Sequence, residues 1–302
     1  MPRRRITFRQ LETFAAVART GSFTRAAEEL HLTQPAVSIQ IRQIADAIGL
    51  PLFDTSGREA ALTAAGQELL AASRNLDDAW SRFESAIAEL KGLRRGRLRV
   101  ALVTTAKYFL PRMLGEFCRK YPDIDIELEI ANRERIVERL RANRDDLYVM
   151  SYPPDDLDVT AHPFLANEHV VIAPANHPAA GRQVALAELA DEPFILREPG
   201  SGSRNAIDRH LATAGLRLKV RLSLSSNEAI RDLVASGMGL GVLSRHALAA
   251  DPARDGLVLL DVAGFPLHHM WSVVHLRAKL LPLPAQAFLE ELVHVAGAGH
   301  GR

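Results

Sequence analysis

Apolar positions in the first 66 residues recur at three- and four-residue steps in three short runs, each bounded by turn signals. Phe8, Leu11, Phe14, Ala15 and Ala18 predict an amphipathic helix over residues 7–19. Thr20-Gly21-Ser22 closes it, because glycine suits the left-handed exit from a helix and serine can cap the next one. A short second helix is expected over 24–30, with Ala26, Ala27 and Leu30 inward. Thr33 is then placed to cap a third helix that runs to Ile48, and Pro35 falls in its first turn, where a missing N–H does no harm. The inward positions of this helix are Val37, Ile41, Ile44 and Ile48. Gln34, Ser38 and Arg42 lie four residues apart on one outward line, with Ile39 beside them. Residues 49–62 read as two short strands around a turn at Ser56-Gly57, followed by a helix capped by Thr63.

From Ala64 to Leu90 Gly66 is the one glycine and there is no proline. Leu69, Ser73, Leu76, Trp80, Phe83, Ile87 and Leu90 alternate in steps of four and three, a heptad seam that implies a partner helix. A single amphipathic helix packed on its own domain fits the same spacing, but a connecting helix of this length has little local surface to cover. Leu69, Leu76, Trp80, Phe83, Ile87 and Leu90 are therefore the candidate dimerisation residues. Beyond Leu98, apolar runs alternate with helical patterns, with chain crossings expected near 163–167 and 264–266. Alternating strand and helix predicts mainly parallel α/β sheets. The domains read as 1–66, a linker helix 67–91, a hinge 92–97 and a two-lobed module 98–302. Lobe I takes 98–165 and 267–302, and lobe II takes 166–266.

Two helices at a sharp turn, the second with an exposed polar row, match a helix-turn-helix followed by a wing. Gln and Arg can pair with base edges in the major groove, and Ile39 can touch a thymine methyl. An ordinary three-helix bundle with a polar outer face fits the spacing alone equally well. The candidate DNA-contacting residues are Arg9, Thr33, Gln34, Pro35, Ser38, Ile39, Arg42 and, in the wing, Arg58.

Charge adds local detail. The 302 residues carry a net charge of only +1, which argues against a general polyanion binder. Residues 1–62 nevertheless hold eight Arg against six acids, and a second basic run spans Lys91 to Arg99. Charge alone is compatible with solvated surface. No run approaches the roughly 18 to 20 apolar residues of a membrane span. A basic start with no apolar stretch behind it, and a lone cysteine, lead us to expect a cytoplasmic chain away from membranes.

The run Phe8-x-x-Leu11-x-x-Phe14, Gly21-Ser22-Phe23-x-x-Ala26-Ala27, Gln34-Pro35-Ala36-Val37-Ser38-x-Gln40-Ile41, Gly49-x-x-Leu52-Phe53 and Leu62-Thr63-x-Ala65-Gly66 resembles the signature of LysR-type transcriptional regulators. Ile44-Ala45 and Asp54-Thr55 depart from that pattern, away from the outward row. The resemblance implies a multidomain α+β architecture: a winged helix-turn-helix, a long dimerising linker helix, and a two-lobed α/β effector module built like a periplasmic binding protein. It also implies a non-enzymatic regulator that partners double-stranded promoter DNA, RNA polymerase and a small anionic metabolite, as a homodimer through the linker helix and as a homotetramer. A narrower similarity is to CbbR regulators of Calvin-cycle (RuBisCO) operons. It is carried by Thr104-Thr105-Ala106-Lys107-Tyr108-Phe109-x-Pro111, Asn132-Arg133-Glu134, Pro153-Pro154, Arg197-Glu198-x-Gly200-Ser201-Gly202-x-Arg204 and Ser226-Asn227-Glu228-Ala229-Ile230. This implies an activator of carbon dioxide fixation genes. Its coinducer would be a sugar phosphate, a phosphorylated acid or NADPH, with no permanent cofactor. A different metabolic regulon, or an intracellular solute-binding protein, are the competing readings.

Parallel α/β lobes bind ligands at strand C-terminal ends, beside helix N-termini. The residues there are Thr104, Thr105, Lys107, Asn132, Arg133, Arg197, Ser201, Gly202, Ser203, Arg204, Ser226 and Asn227. Several of these also read simply as helix caps. Cys118 is expected to be a small buried hydrophobe. His162, His169, His268 and His269 lack metal-ligand spacing and read as structural or surface residues.

Overall fold

A computed structural model of the chain describes residues 6–54, 60–90 and 96–299. It forms two compact units, Met1–Ser81 and Arg82–Arg302. Arg3, Arg4, Arg5, the wing residue Arg58 and most of the expected hinge lie outside the described residues, as does the side chain of Leu90.

The first unit opens with α1 (Phe8–Thr20), α2 (Phe23–Glu29) and α3 (Gln34–Ile48). Local chemistry sets their ends. Thr7 and Gln10 form a reciprocal capping box on α1, and Gly21 ends that helix at a left-handed φ of 63°. Ser22 and Thr33 cap α2 and α3 through their side chains. Phe14, Val17, Ala26, Ala27, Val37 and Ile44 fill the shared core, closed on one side by Leu52. β1 (Phe53–Asp54) and β2 (Ala61–Leu62) pair antiparallel. The long α4 (Ala64–Leu90) follows, its first turn held by the Gly66 N–H donating to Thr63 Oγ1 at 3.1 Å. Two expectations change here. Ile48 is exposed at the end of α3, and Phe8 is exposed on α1, where its ring meets Trp80 at 5.6 Å.

The second unit contains β3 (Gly96–Val103), α5 (Leu110–Lys120), β4 (Ile124–Ala131), α6 (Arg133–Arg141) and β5 (Leu147–Met150). After these come the 16-residue β6 (Val159–Pro174), β7 (Gln183–Val184), β8 (Pro193–Arg197), α7 (Gly202–Ala214), β9 (Lys219–Leu224) and α8 (Asn227–Ala235). The unit ends with β10 (Leu240–Ser244), β11 (Leu257–Val262), β12 (Leu267–Leu276) and α9 (Leu283–Gly299). The strand order is β4-β3-β5-β12-β6-β10-β8-β9, with β11 on the far part of β6 and β7 on β11. β3 runs parallel to β4 and β5, and β8 runs parallel to β9 and β10. β6 and β12 form an antiparallel ribbon from Val159↔Leu276 to His169↔Leu267 that joins the two lobes.

The crossing expected near 163–167 runs inside the continuous β6, whereas residues 264–266 form a turn and the return crossing is carried by β12 after it. Pro163 is tolerated because the ribbon shifts register beside it, between Trp271 and Ser272. One lobe packs around Leu98, Leu102, Phe117, Trp271 and Phe288, and the other around Val171, Phe194, Leu196, Ile207 and Val242. Cys118 corrects its expectation: Phe117 turns into the core, which leaves the next residue exposed on α5. Thr104–Tyr108 forms a 3-10 turn, and α5 starts only at Leu110.

Candidate functional site

Two regions carry chemistry. On α3, polar residues on the side that faces α1 tie the two helices together. Thr13 donates to Gln40 Oε1 at 2.8 Å, and Gln10 Nε2 donates to Gln43 Oε1 at 3.0 Å. Gln34, Pro35, Ile39 and Arg42 remain exposed, and Ser38 is half-buried between them. Ile39, at 57% exposure, is a large apolar side chain turned to solvent from the middle of a helix that buries Ile41 and Ile44. Gln34 Nε2 donates to Ser38 Oγ at 2.9 Å, which fixes the amide and leaves its carbonyl outward. Arg42 has no hydrogen-bond or ion-pair partner among the described residues. Thr33 is occupied as the cap of α3, and Arg9 is exposed on α1. This edge offers donors, acceptors and one apolar contact in a row that a base-pair edge can meet.

The second region is a cleft of about 390 Å³ between the lobes of the effector unit. Lobe I contributes Val103, Thr104 and Thr105 after β3, Arg133 at the start of α6, and Met150, Ser151 and Tyr152 at the end of β5. Lobe II contributes Arg197 from β8 and Ser201, Gly202 and Ser203 from the start of α7, while Asn167, His169 and Trp271 come from the ribbon. Arg197 is fully engaged at its base. Its Nε and Nη2 form a bidentate pair with Glu198 at 2.7 and 2.9 Å, and its Nη1 donates to Asn227 Oδ1 at 2.8 Å. Asn227 Nδ2 in turn donates to Thr105 Oγ1 at 3.3 Å, so this node spans the lobes. Asn167 is held by Ser151 and Ser244 at 2.8 and 2.7 Å. His169 lies 3.1 Å from Ser203 Oγ through Nε2. Burial, with His269 and His246 nearby, pushes its pKa down to about 3, so the ring is neutral near pH 7.

Among the described residues no carboxylate lines the cleft. Arg133 Nε, the Tyr152 hydroxyl, His169 Nδ1 and Trp271 Nε1 are all buried without a partner among the described residues. Buried polar atoms are nearly always paired, so four of them lining one cleft together offer hydrogen bonds that a ligand or water held there can complete.

Of the sequence candidates, Thr104, Thr105, Arg133, Arg197, Ser201, Gly202 and Ser203 meet in this cleft. Five others are placed differently. Lys107 pairs with Glu228 Oε1 at 2.8 Å. Asn132 and Ser226 cap α6 and α8 through their side chains. Arg204 binds Asp208, and Asn227 is buried behind Arg197. Sequence reasoning missed Val103, Met150, Ser151, Tyr152, Asn167, His169 and Trp271. The available signal was polar Asn167 and His169 inside a strand that otherwise buries apolar residues.

On α4, Leu69 packs partly into the core of the first unit, whereas Leu76, Trp80 and Phe83 are 45, 49 and 54% exposed. No helix among the described residues is long and apolar enough to cross a membrane.

Residues 8–67 match the model of the bacterial regulatory helix-turn-helix protein, lysR family, and residues 91–297 match the LysR substrate binding domain. The chain is 47% identical to the HTH-type transcriptional activator CmpR of Synechocystis sp. (strain PCC 6803), over 95% of this chain and 94% of that protein. It is 46% identical to the RuBisCO operon transcriptional regulator of Acidithiobacillus ferrooxidans, over 98% of this chain and 96% of that protein. The regulatory domain of Synechocystis PCC6803 CcmR, solved in complex with 2-PG, superposes with a TM-score of 0.64 at 46% identity, covering 66% of this chain and 97% of that one. The chain belongs to the LysR family of bacterial DNA-binding transcriptional regulators.

Proposed function

We propose that the protein is a ligand-gated activator of carbon dioxide fixation operons whose coinducer is a compact phosphorylated acid bound between the two lobes. The observation that carries the coinducer class is the cleft itself: it has no acidic lining residue and four buried polar atoms that await partners. Even with the open space at its mouth counted, the cleft holds only about 390 Å³, which favours a compact acid over a dinucleotide such as NADPH. The regulon rests on similarity to regulators of RuBisCO operons, and the acid is of the kind named for CcmR.

In this reading Gln34, Ser38, Ile39 and Arg42 read bases in the major groove, and Arg9 meets the backbone. Trp80 and Phe83 pair with their copies so that two recognition helices reach half-sites about one helical turn, or a multiple, apart. Ligand in the cleft favours one lobe angle over another. That differential affinity alters how the oligomer holds the promoter and meets RNA polymerase.

The test is a thermal-shift screen of the full chain against 2-phosphoglycolate, sugar phosphates and nicotinamide nucleotides, followed by footprinting on a RuBisCO operon promoter. A ligand of the native state raises the melting temperature with concentration. The expected result is a saturable rise with 2-phosphoglycolate and a changed footprint at the same concentrations. Stabilisation by none of the acids, or by nicotinamide nucleotides alone, overturns the coinducer class.

A further inference from the structure

Three of the polar atoms left without partners among the described residues of the effector unit belong to Tyr152 and two residues that touch it. Arg133, at the start of α6 in lobe I, donates through Nη2 to the Tyr152 carbonyl at 3.0 Å, while its buried Nε has no partner among the described residues. Arg209, on α7 in lobe II, holds its guanidinium carbon 5.1 Å from the centre of the Tyr152 ring. The His269 ring lies 4.9 Å from the same ring, and both His269 Nε2 and the Tyr152 hydroxyl are buried without partners. Of the six such orphaned atoms among the described residues, only Arg231 Nε lies outside this corner and the cleft beside it.

The charges at the two ends of the cleft differ in kind. At the β8 end, Arg197 is neutralised by the two-point pair with Glu198. At the Tyr152 end, neither Arg133 nor Arg209 has a carboxylate within ion-pair distance among the described residues. Asp156, next along the chain from this corner, is taken by Arg141. Two guanidinium groups, one from each lobe, thus share one aromatic residue with no anion between them. Burial lowers the Arg133 pKa and the neighbouring Arg209 lowers it further, offset only in part by Asp155 and Asp156.

Resting on the coinducer reading above, we propose that Arg133 and Arg209 form a charge clamp for the phosphate of the effector, with Arg209 the residue that selects a doubly charged group over a single carboxylate. Empty, the two cations repel across the mouth of the cleft and favour separation of the lobes. A phosphate dianion between them reverses that sign and draws α7 toward α6. Guanidinium suits the task, because its planar donors match phosphate oxygens in pairs while its face stays on the tyrosine ring.

The test is isothermal titration of the full chain with 2-phosphoglycolate and with glycolate, which lacks the phosphate. Four proteins are compared: wild type, Arg209→Gln, Arg209→Lys and Arg254→Gln. Arg254 is a surface cation outside the cleft, so its replacement changes net charge by the same amount. Arg209 is itself exposed, so its replacement does not open the core. The expected result is at least tenfold weaker 2-phosphoglycolate binding in Arg209→Gln, a smaller loss in Arg209→Lys and wild-type affinity in Arg254→Gln, with glycolate unaffected by any of them. Unchanged 2-phosphoglycolate affinity in Arg209→Gln overturns the clamp while the coinducer reading stands. An equal loss in Arg254→Gln reduces the effect to net charge and also overturns it. Absence of 2-phosphoglycolate binding in the wild type overturns the coinducer reading and the clamp together.

Discussion

Replacement of Glu228 by Gln separates two roles for Lys107 that have opposite consequences. In the structure Glu228, at the start of α8 in lobe II, accepts from Lys107 Nζ and from the Tyr108 hydroxyl, each at 2.8 Å, and from Ser226 Oγ at 2.9 Å. Lys107 and Tyr108 belong to the turn after β3 in lobe I, so the carboxylate latches the lobes together. Burial alone would raise the Glu228 pKa, but the hydrogen bonds from Lys107, Tyr108 and Ser226 outweigh it and hold the pKa at about 2. Taken at face value the drop from 4.5 is worth about 3 kcal/mol. The side chain is 40% exposed, however, and screening of such a pair reduces this to about 1 kcal/mol. The sign follows from a depressed carboxylate pKa: the latch is complete above pH 4.5 and is lost as pH falls toward 2. At neutral pH Glu228→Gln therefore reduces the population of the closed arrangement about fivefold. Titration calorimetry with 2-phosphoglycolate should show affinity weakened by about three- to tenfold. If Lys107 were instead a ligand group held back by Glu228, releasing it would strengthen binding. Equal or tighter binding by the variant refutes the latch.

Other outcomes follow from the packing. An ideal Cβ on Gly66 would lie 2.2 Å from the Leu52 carbonyl oxygen, so Gly66→Ala must push α4 away from the winged-helix core. Helix propensity alone would stabilise this change by about 1 kcal/mol, whereas overpacking costs about 1–3 kcal/mol. Urea unfolding should show a net loss, and a stabilised variant contradicts the close approach. Phe83 is 54% exposed, and an aromatic ring of its class buries roughly 150–250 Å² in full. Covering about 100 Å² per chain is worth about 2.5 kcal/mol, or about 5 kcal/mol per dimer. Phe83→Ser should thus weaken pairing through α4 about a thousandfold or more. Unchanged sedimentation together with unchanged affinity for a two-half-site duplex removes Phe83 from the seam. DNA affinity should fall by about three orders of magnitude or more between 50 and 200 mM salt if six or more phosphates are contacted. A flat salt dependence argues against groove docking.

The winged-helix unit was legible because its punctuation is local. Thr7, Ser22 and Thr33 cap their own helices, Gly21 exits one, and the inward residues repeat at the helical period. The effector unit was less so, because its ligand cleft is assembled from the ends of elements far apart in sequence. Periodicity located the ends of β3, β8 and α7, and with them Thr104, Thr105, Arg197 and Ser203. It could not show that Lys107 is turned toward Glu228, since that depends on how two lobes meet. The crossing near 163–167 is legible, but not that one strand carries it from Val159 to Pro174, because Pro163 sits at a register shift and Asn167 lines the cleft. β11 over Leu257–Val262 carries no alternation that marks it in the sequence. Cys118 adjoins the buried Phe117 yet is exposed, because neighbours on a helix face directions about 100° apart.

Direct access of the α3 edge to base pairs is best measured with Arg42→Ala on two duplexes: a promoter site enriched from random sequence by the wild-type chain, and a scrambled site of equal length. Arg42 carries the one cation in the outward row, and its replacement is expected to cost about 1–3 kcal/mol on the selected site. Affinity for the scrambled duplex should change little, so the ratio between the two collapses. An Arg42→Ala protein that keeps the wild-type preference for the selected site would mean that DNA is read by some other face of the molecule.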